Sequence, residues 1–187
     1  MLLADLNTLS DDEAVREFLR CCGSARWARA MAAARPFASR STVDTAADTI
    51  FDTLASADWL EAFAAHPRIG ESSRPRARST GEAGEAGKAG RAGQAGRTTA
   101  ADNWSAQEQA GASGATDVVR ERLAARQRDY EARFGYIFII CATGRGAAEM
   151  LGSLEQRISN APGAELRVAA SEQRKITHLR IEKLLGK

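Results

Sequence analysis

The chain has little with which to hold a metal ion or a disulfide framework. Its two histidines, His66 and His178, stand far apart, and neither has cysteine or carboxylate neighbours at the compact spacing that zinc and similar ions require. The three cysteines are Cys21, Cys22 and Cys141. An odd number with two adjacent makes a poor disulfide set and points to reduced, mostly buried thiols. No run of eighteen apolar residues occurs, and the opening MLLADLNTLSDDE lacks the basic region and longer apolar stretch of a secretory signal. No membrane partner and a cytoplasmic location are therefore expected. Nor does one sign of charge dominate: 26 Lys and Arg against 24 Asp and Glu leave a formal +2, so composition makes no case for nucleic acid as a partner. Aromatic residues are scarce, at 6%.

Alanine is plentiful instead, and hydrophobic residues make up 44% of the 187, enough for one domain with its own core. The apolar residues recur at helical spacing. Ser10-Asp11-Asp12-Glu13 reads as a capping box opening a helix through Ala14, Val15, Phe18, Leu19 and Cys22, which Gly23 can end in the left-handed conformation. Ser24 is placed to cap a second helix bearing Trp27, Ala30 and Met31, bounded by Pro36. Ser41 is expected to start a third through Val43, Ala47, Ile50, Phe51 and Leu54. Ser56 is expected to start a fourth, with Trp59, Leu60 and Phe63, that runs into His66-Pro67.

Between Ser72 and Ala101 the character changes, with Gly81, Gly84, Gly87, Gly90, Gly93 and Gly96 at a strict spacing of three. The triplets contain no proline, which a collagen-like helix needs, so the tract predicts a solvated, disordered Gly/Ala-rich loop with too little apolar surface to offset its ordering entropy. Order is expected to resume at Ser105-Ala106-Gln107-Glu108, another Ser-x-x-Glu capping pattern, with a break at Gly111 to Gly114. A long helix carrying Val118, Val119, Leu123 and Tyr130 on one face then runs to Phe134 and Gly135. The run Tyr136 to Ala142 is short and continuously apolar, and must cross the core as helix or strand. Ala147 to Ser159 and Glu165 to Leu185 read as two more helices, the first closed by Asn160 and Pro162, the last bearing Leu166, Ala169, Ala170, Ile176, Leu179, Leu184 and Leu185. The sum is an all-α fold, a single-domain helical bundle of about six to eight helices over residues 1–187, interrupted by the low-complexity loop at about 72–101.

Several short motifs fail on inspection. Gly87-Lys88 lacks the hydroxyl residue and the leading glycine of a phosphate loop, and Gly144-Arg145-Gly146 is followed by Glu149 where a dinucleotide fingerprint needs its third glycine. Three side chains carry more. His66 ends an apolar helix and precedes Pro67, which fixes its backbone; it is either a helix-end histidine bonded to a carbonyl or a proton carrier near neutral pH. Glu108 either bonds back to the Ser105 amide or serves as general acid or base. Arg180, among core-type residues of the last helix, either pairs with a carboxylate of the protein or grips an anionic ligand.

Taken together, His66-Pro67-Arg68-Ile69-Gly70-Glu71, Ser105-Ala106-Gln107-Glu108-Gln109, Phe134-Gly135-Tyr136-Ile137-Phe138-Ile139-Ile140-Cys141-Ala142 and Leu179-Arg180-Ile181 resemble the signatures of the 2-oxo-4-hydroxy-4-carboxy-5-ureidoimidazoline (OHCU) decarboxylase family. The resemblance runs from about Ser10 to Leu185. It implies an all-helical carboxy-lyase without cofactor or metal, a homodimer, acting on a ureidoimidazoline carboxylate to form (S)-allantoin in urate degradation. Carried over residue by residue, it implies His66 and Glu108 as catalytic, and Pro67, Ser105, Gln109, Phe138, Ile139, Ile140, Cys141, Ala142 and Arg180 as substrate-binding. The Gly-x-Ala tract lengthens the usual connection between the His-Pro and Ser-x-x-Glu motifs, a change the fold can absorb because loop-closure entropy grows only logarithmically. Two other readings remain open on the sequence: a helical interaction module with a basic loop, and a relative that binds a purine-derived ligand without turnover.

Overall fold

The computed structural model describes residues 1–70, 104–105, 107–108, 110 and 116–186. The Gly-x-Ala tract, Glu71, Gln109 and the expected break at Gly111 to Gly114 lie outside the described residues. Within them there are eight helices and no strand: α1 Leu3–Thr8, α2 Asp11–Cys22, α3 Ala25–Ala33, α4 Arg40–Asp52, α5 Ser56–Ala64, α6 Asp117–Phe134, α7 Ala147–Arg157 and α8 Pro162–Leu185. No described helix is long and apolar enough to cross a membrane.

Local chemistry sets most of these boundaries. Ser10 Oγ accepts from the Glu13 amide while the Glu13 carboxylate accepts from the Ser10 amide, closing the box that starts α2. Gly23 ends it at φ 82°. A Cβ there would stand 2.6 Å from the Cβ of Ala65, so this glycine also lets the α2–α3 junction lie against the end of α5. Ser24 caps α3, and Gly135 closes α6 at φ 80°. The start of α4 differs from expectation: Ser39, not Ser41, is the cap, because Ser39 Oγ accepts from the Thr42 amide and Thr42 Oγ1 accepts from the Ser39 amide. Helix α8 begins at Pro162 rather than Glu165, since proline suits the first helical position, and α7 stops at Arg157 rather than Ser159. Val118 is exposed, so the buried face of α6 is Leu123, Gln127 and Tyr130. Leu166, Leu179 and Leu185 of α8 are only half-buried, and polar residues take part of its inner stripe.

Two apolar clusters result. In the first, Phe18, Trp27, Met31, Phe51 and Phe63 from α2 to α5 close on Ile181 and Leu184 of α8. Phe18 meets Trp27 edge to face at 5.9 Å, and Trp27 Nε1 donates to the Ala47 carbonyl at 3.1 Å. Burying each of these rings is worth about 3 kcal/mol. In the second, Leu123 and Tyr130 of α6 pack on Met150 and Leu154 of α7. The run 136–142 is neither helix nor strand but does cross between them. Ile139 joins the first cluster, while Phe138, Ile140 and Ala142 join the second, the period of two of an extended chain.

Candidate active site

His66 enters the site from the end of α5, its amide donating to the Phe63 carbonyl at 3.1 Å as the helix closes. Pro67 then turns the chain away, and α6 clamps the two residues after it. Gln127 Oε1 accepts from the Ile69 amide at 2.9 Å and Gln127 Nε2 donates to the Ile69 carbonyl at 3.0 Å, both bonds buried. One turn on, Glu131 accepts both arms of the Arg68 guanidinium, at 2.6 and 2.8 Å. Such a bidentate fork resists rotation. The His-Pro turn is thereby fixed at both ends.

Trp104, Ser105, Gln107 and Glu108 are helical. The expected Ser105–Glu108 capping box is replaced by a different set of bonds. Ser105 Oγ accepts from Arg180 Nη2 at 2.9 Å; the Glu108 carboxylate accepts from Arg180 Nη2 at 2.9 Å, Arg180 Nε at 3.2 Å and Lys183 Nζ at 2.9 Å. Glu108 is 7% exposed and Arg180 3%, so the pair is almost wholly withdrawn from water. Burial pushes the Glu108 carboxyl up, but its bonds to Arg180 and Lys183 and their charges outweigh this and hold it below the ordinary carboxylate range. It is ionised at neutral pH.

The imidazole of His66 completes the group. Nδ1 lies 3.4 Å from Arg180 Nη2 and Nε2 lies 2.8 Å from Gln173 Oε1. Burial and the Arg180 charge pull its pKa down to about 4, against the opposing pull of Glu108 and Gln173. The ring is neutral at pH 7, a base rather than an acid.

These groups line one narrow cleft. His66, Pro67 and Ile69 form one wall and Ser105 with Glu108 another, while Phe138, Ile139, Ile140, Ala142 and Thr143 run along a third, with Ile176 of α8. The run's two lateral edges are unlike. The Ile139 carbonyl accepts from Arg157 Nη1 at 2.9 Å and the Cys141 amide donates to Glu172 at 2.8 Å. Among the described residues, the amides of Ile140 and Ala142 have no protein acceptor. One backbone edge is thus held by the protein and its opposite carries donors without a partner, a set suited to a ligand rich in carbonyl oxygens.

A family model for OHCU decarboxylase matches residues 7–99 and 89–182. The chain belongs to the OHCU decarboxylase family. It is 39% identical over 170 residues to the uric acid degradation bifunctional protein TTL of Arabidopsis thaliana, 91% of this chain and 47% of that one. It is 36% identical over 89 residues to the 2-oxo-4-hydroxy-4-carboxy-5-ureidoimidazoline decarboxylase of Mus musculus, 48% of this chain and 50% of that one. The chain spans about half the length of these two curated relatives. A crystal structure of OHCU decarboxylase in the presence of (S)-allantoin is similar at a TM-score of 0.68 and 34% identity, covering 96% of this chain and all of that one.

In this OHCU decarboxylase family member, most of the residues singled out by sequence converge. His66, Pro67, Ser105, Glu108, Phe138, Ile139, Ile140 and Ala142 line the one cleft; Arg180 lies against it through its contacts with His66, Ser105 and Glu108. Cys141 is not among the lining residues: it faces a neighbouring open groove with Lys175 and His178, and burial, with the Glu172 charge, raises its thiol. Gln109 lies outside the described residues. Sequence reasoning missed Gln127, Gln173, Lys183 and the Arg157–Glu165 pair. The one available signal was polar residues at core spacing, as in Gln173, Thr177 and Arg180 on α8, all buried.

Proposed function

We propose that this chain catalyses the cofactor-independent decarboxylation of 2-oxo-4-hydroxy-4-carboxy-5-ureidoimidazoline to (S)-allantoin in urate degradation, as a carboxy-lyase. The observation that carries this reading is the meeting of His66, Glu108 and Arg180, drawn from three distant parts of a chain in this family, at one cleft. An ionised carboxylate, a neutral imidazole and two cations suit a small anionic substrate. Family membership and the (S)-allantoin in whose presence the similar crystal structure was obtained point the same way.

The charge states constrain the mechanism. When the C–CO2 bond breaks, its electron pair moves through the ring into the imine of the substrate, so no separate electron sink is required. The 4-hydroxyl must lose a proton and the ring carbon bearing the ureido group must gain one, on a single face. Neither His66 nor Glu108 carries a spare proton at pH 7. His66 therefore takes the hydroxyl proton, is stabilised as imidazolium by Glu108, and returns that proton to carbon, while the ring nitrogen that received the electron pair takes up one proton from solvent. Arg180 and the Ile140 and Ala142 amides hold the carboxylate and ring carbonyls, and Phe138 and Ile140 limit delivery of protons by bulk water. Pro67, Ser105 and Gln109 belong to the same binding surface in this reading. The proposal extends to a homodimer, on the family resemblance, and to a cytoplasmic location, with which free thiols at all three cysteines accord. Residues 1–187 form one domain in this reading, supported by the packing of α8 against α2, α4 and α5.

Freshly generated substrate supplied to the purified protein tests the proposal. Optical activity should grow as (S)-allantoin forms ahead of spontaneous decay; racemic product at the background rate overturns it.

A further inference from the structure

Gln173 is fully buried on α8, one turn before Thr177 and two before Arg180. The orientation of its amide is fixed by the partners on either side. Thr177 Oγ1 spends its proton on the Gln173 backbone carbonyl at 2.9 Å, leaving only lone pairs towards the Gln173 side chain at 3.4 Å. The Cys22 carbonyl, also at 3.4 Å, can only accept. Both must therefore face the amide nitrogen, and Oε1 is the atom 2.8 Å from His66 Nε2. An amide oxygen only accepts, so Nε2 carries the hydrogen and the lone pair of the neutral ring sits on Nδ1. Nδ1 is the nitrogen beside Arg180.

We propose that Gln173 is the positioning residue of this site: by accepting from Nε2–H it locks the plane and tautomer of the His66 ring and keeps Nδ1, beside Arg180, as the basic nitrogen of the site. A neutral amide serves this end better than a carboxylate would. Of the described charged groups, Arg180 and Glu108 face the ring, with Lys183 held one step away on Glu108. A carboxylate in place of Gln173 would add a second anion beside Nε2, stabilise the imidazolium and leave the ring protonated before substrate arrives. The catalytic half of this inference rests on the function proposed above; the tautomer does not.

Two measurements separate them. Nitrogen-15 labelling of the two histidines, with a His178→Gln variant to assign the signals, should show the neutral His66 ring protonated at Nε2 with a slowly exchanging proton. A ring protonated at Nδ1 overturns the proposal, whether or not the protein turns over substrate. The second measurement tracks pH. In Gln173→Glu the His66 titration should move up by about 1–3 pH units, and in Gln173→Leu kcat should fall by about 10²-fold with KM little changed. An unmoved titration in folded Gln173→Glu, or a Gln173→Leu variant that loses stability but keeps its kcat, reduces Gln173 to a packing residue.

Discussion

An imidazole that titrates near 4 has consequences on both sides of neutrality. If neutral His66 is the base, the acid limb of kcat/KM should lie near pH 4 rather than at the ordinary histidine value of about 6.5. A limb at 6.5 in the free enzyme would contradict the burial and the Arg180 contact that depress it. Stability follows with a definite sign. The unfolded chain takes up a proton on this histidine below about 6.5 while the folded one resists until about 4, so folding stability should fall across that window as pH decreases. Urea midpoints measured from pH 7 to 4 should decline more for the wild type than for His66→Gln. Each of these residues was ambiguous in the sequence for a physical reason. His66, Glu108 and Arg180 are each decided by a partner far away along the chain, so a helix end, a capping box and an ion pair were equally good local accounts. Gln173 was invisible because a buried glutamine and a solvated one look the same until Cys22 and Thr177 are seen against it.

At the level of elements, the crossing run 136–142 owes its position to one buried polar knot. Glu165 is fully buried and accepts from the Tyr130 hydroxyl at 2.5 Å, from Arg157 Nε at 2.9 Å and from Asn160 at 2.7 Å. The same Arg157 reaches the Ile139 carbonyl and lies over the Phe138 ring at 4.5 Å. Arg157→Met should cost about 3–5 kcal/mol by leaving Glu165 buried without its cation, and Arg157→Met with Glu165→Met should recover part of that loss. Chemical denaturation reads both. Gly23 makes a second such junction. Gly23→Ala meets Ala65 and needs a positive φ, so it should cost about 1–3 kcal/mol and raise KM by displacing His66; an unchanged melting temperature would show the junction to be slack. The caps of α2 and α3 and the glycine ends were legible in the sequence because their bonds close within a few residues. Ser41 reads as the cap in the sequence because both hydroxyls stand near the same helix start, and only the reciprocal bonds with Thr42 single out Ser39. The run 136–142 stayed undecided since apolarity states burial but not conformation, and one edge of its backbone is held not by a neighbouring strand but by side chains from α7 and α8.

For the molecule as a whole, α8 acts as the common ruler. Its 24 residues span about 36 Å and carry Glu172 against the crossing run, Gln173 against His66, and Arg180 with Lys183 against Glu108. All-α architecture was readable from periodicity; that one helix would collect so many polar contacts was not, because its inner stripe mixes Ala169, Ile176 and Ile181 with Gln173, Thr177 and Arg180. Raising ionic strength shortens the reach of exposed charge, so KM for an anionic substrate should rise by about five-fold between low and high salt while kcat holds steady; a salt-independent KM would mean that approach is not steered. The two cations on one carboxylate matter after the chemistry as well. Among the described residues of this cluster, Arg180 and Lys183 outnumber Glu108, and His66 adds no charge, so the group beside the cleft carries a surplus of one positive charge. In the proposed reaction, a substrate that enters as a carboxylate and leaves as uncharged allantoin feels that surplus in one direction only. On the function proposed above, loss of CO2 is then also the release signal, because the reaction switches off its own product's attraction.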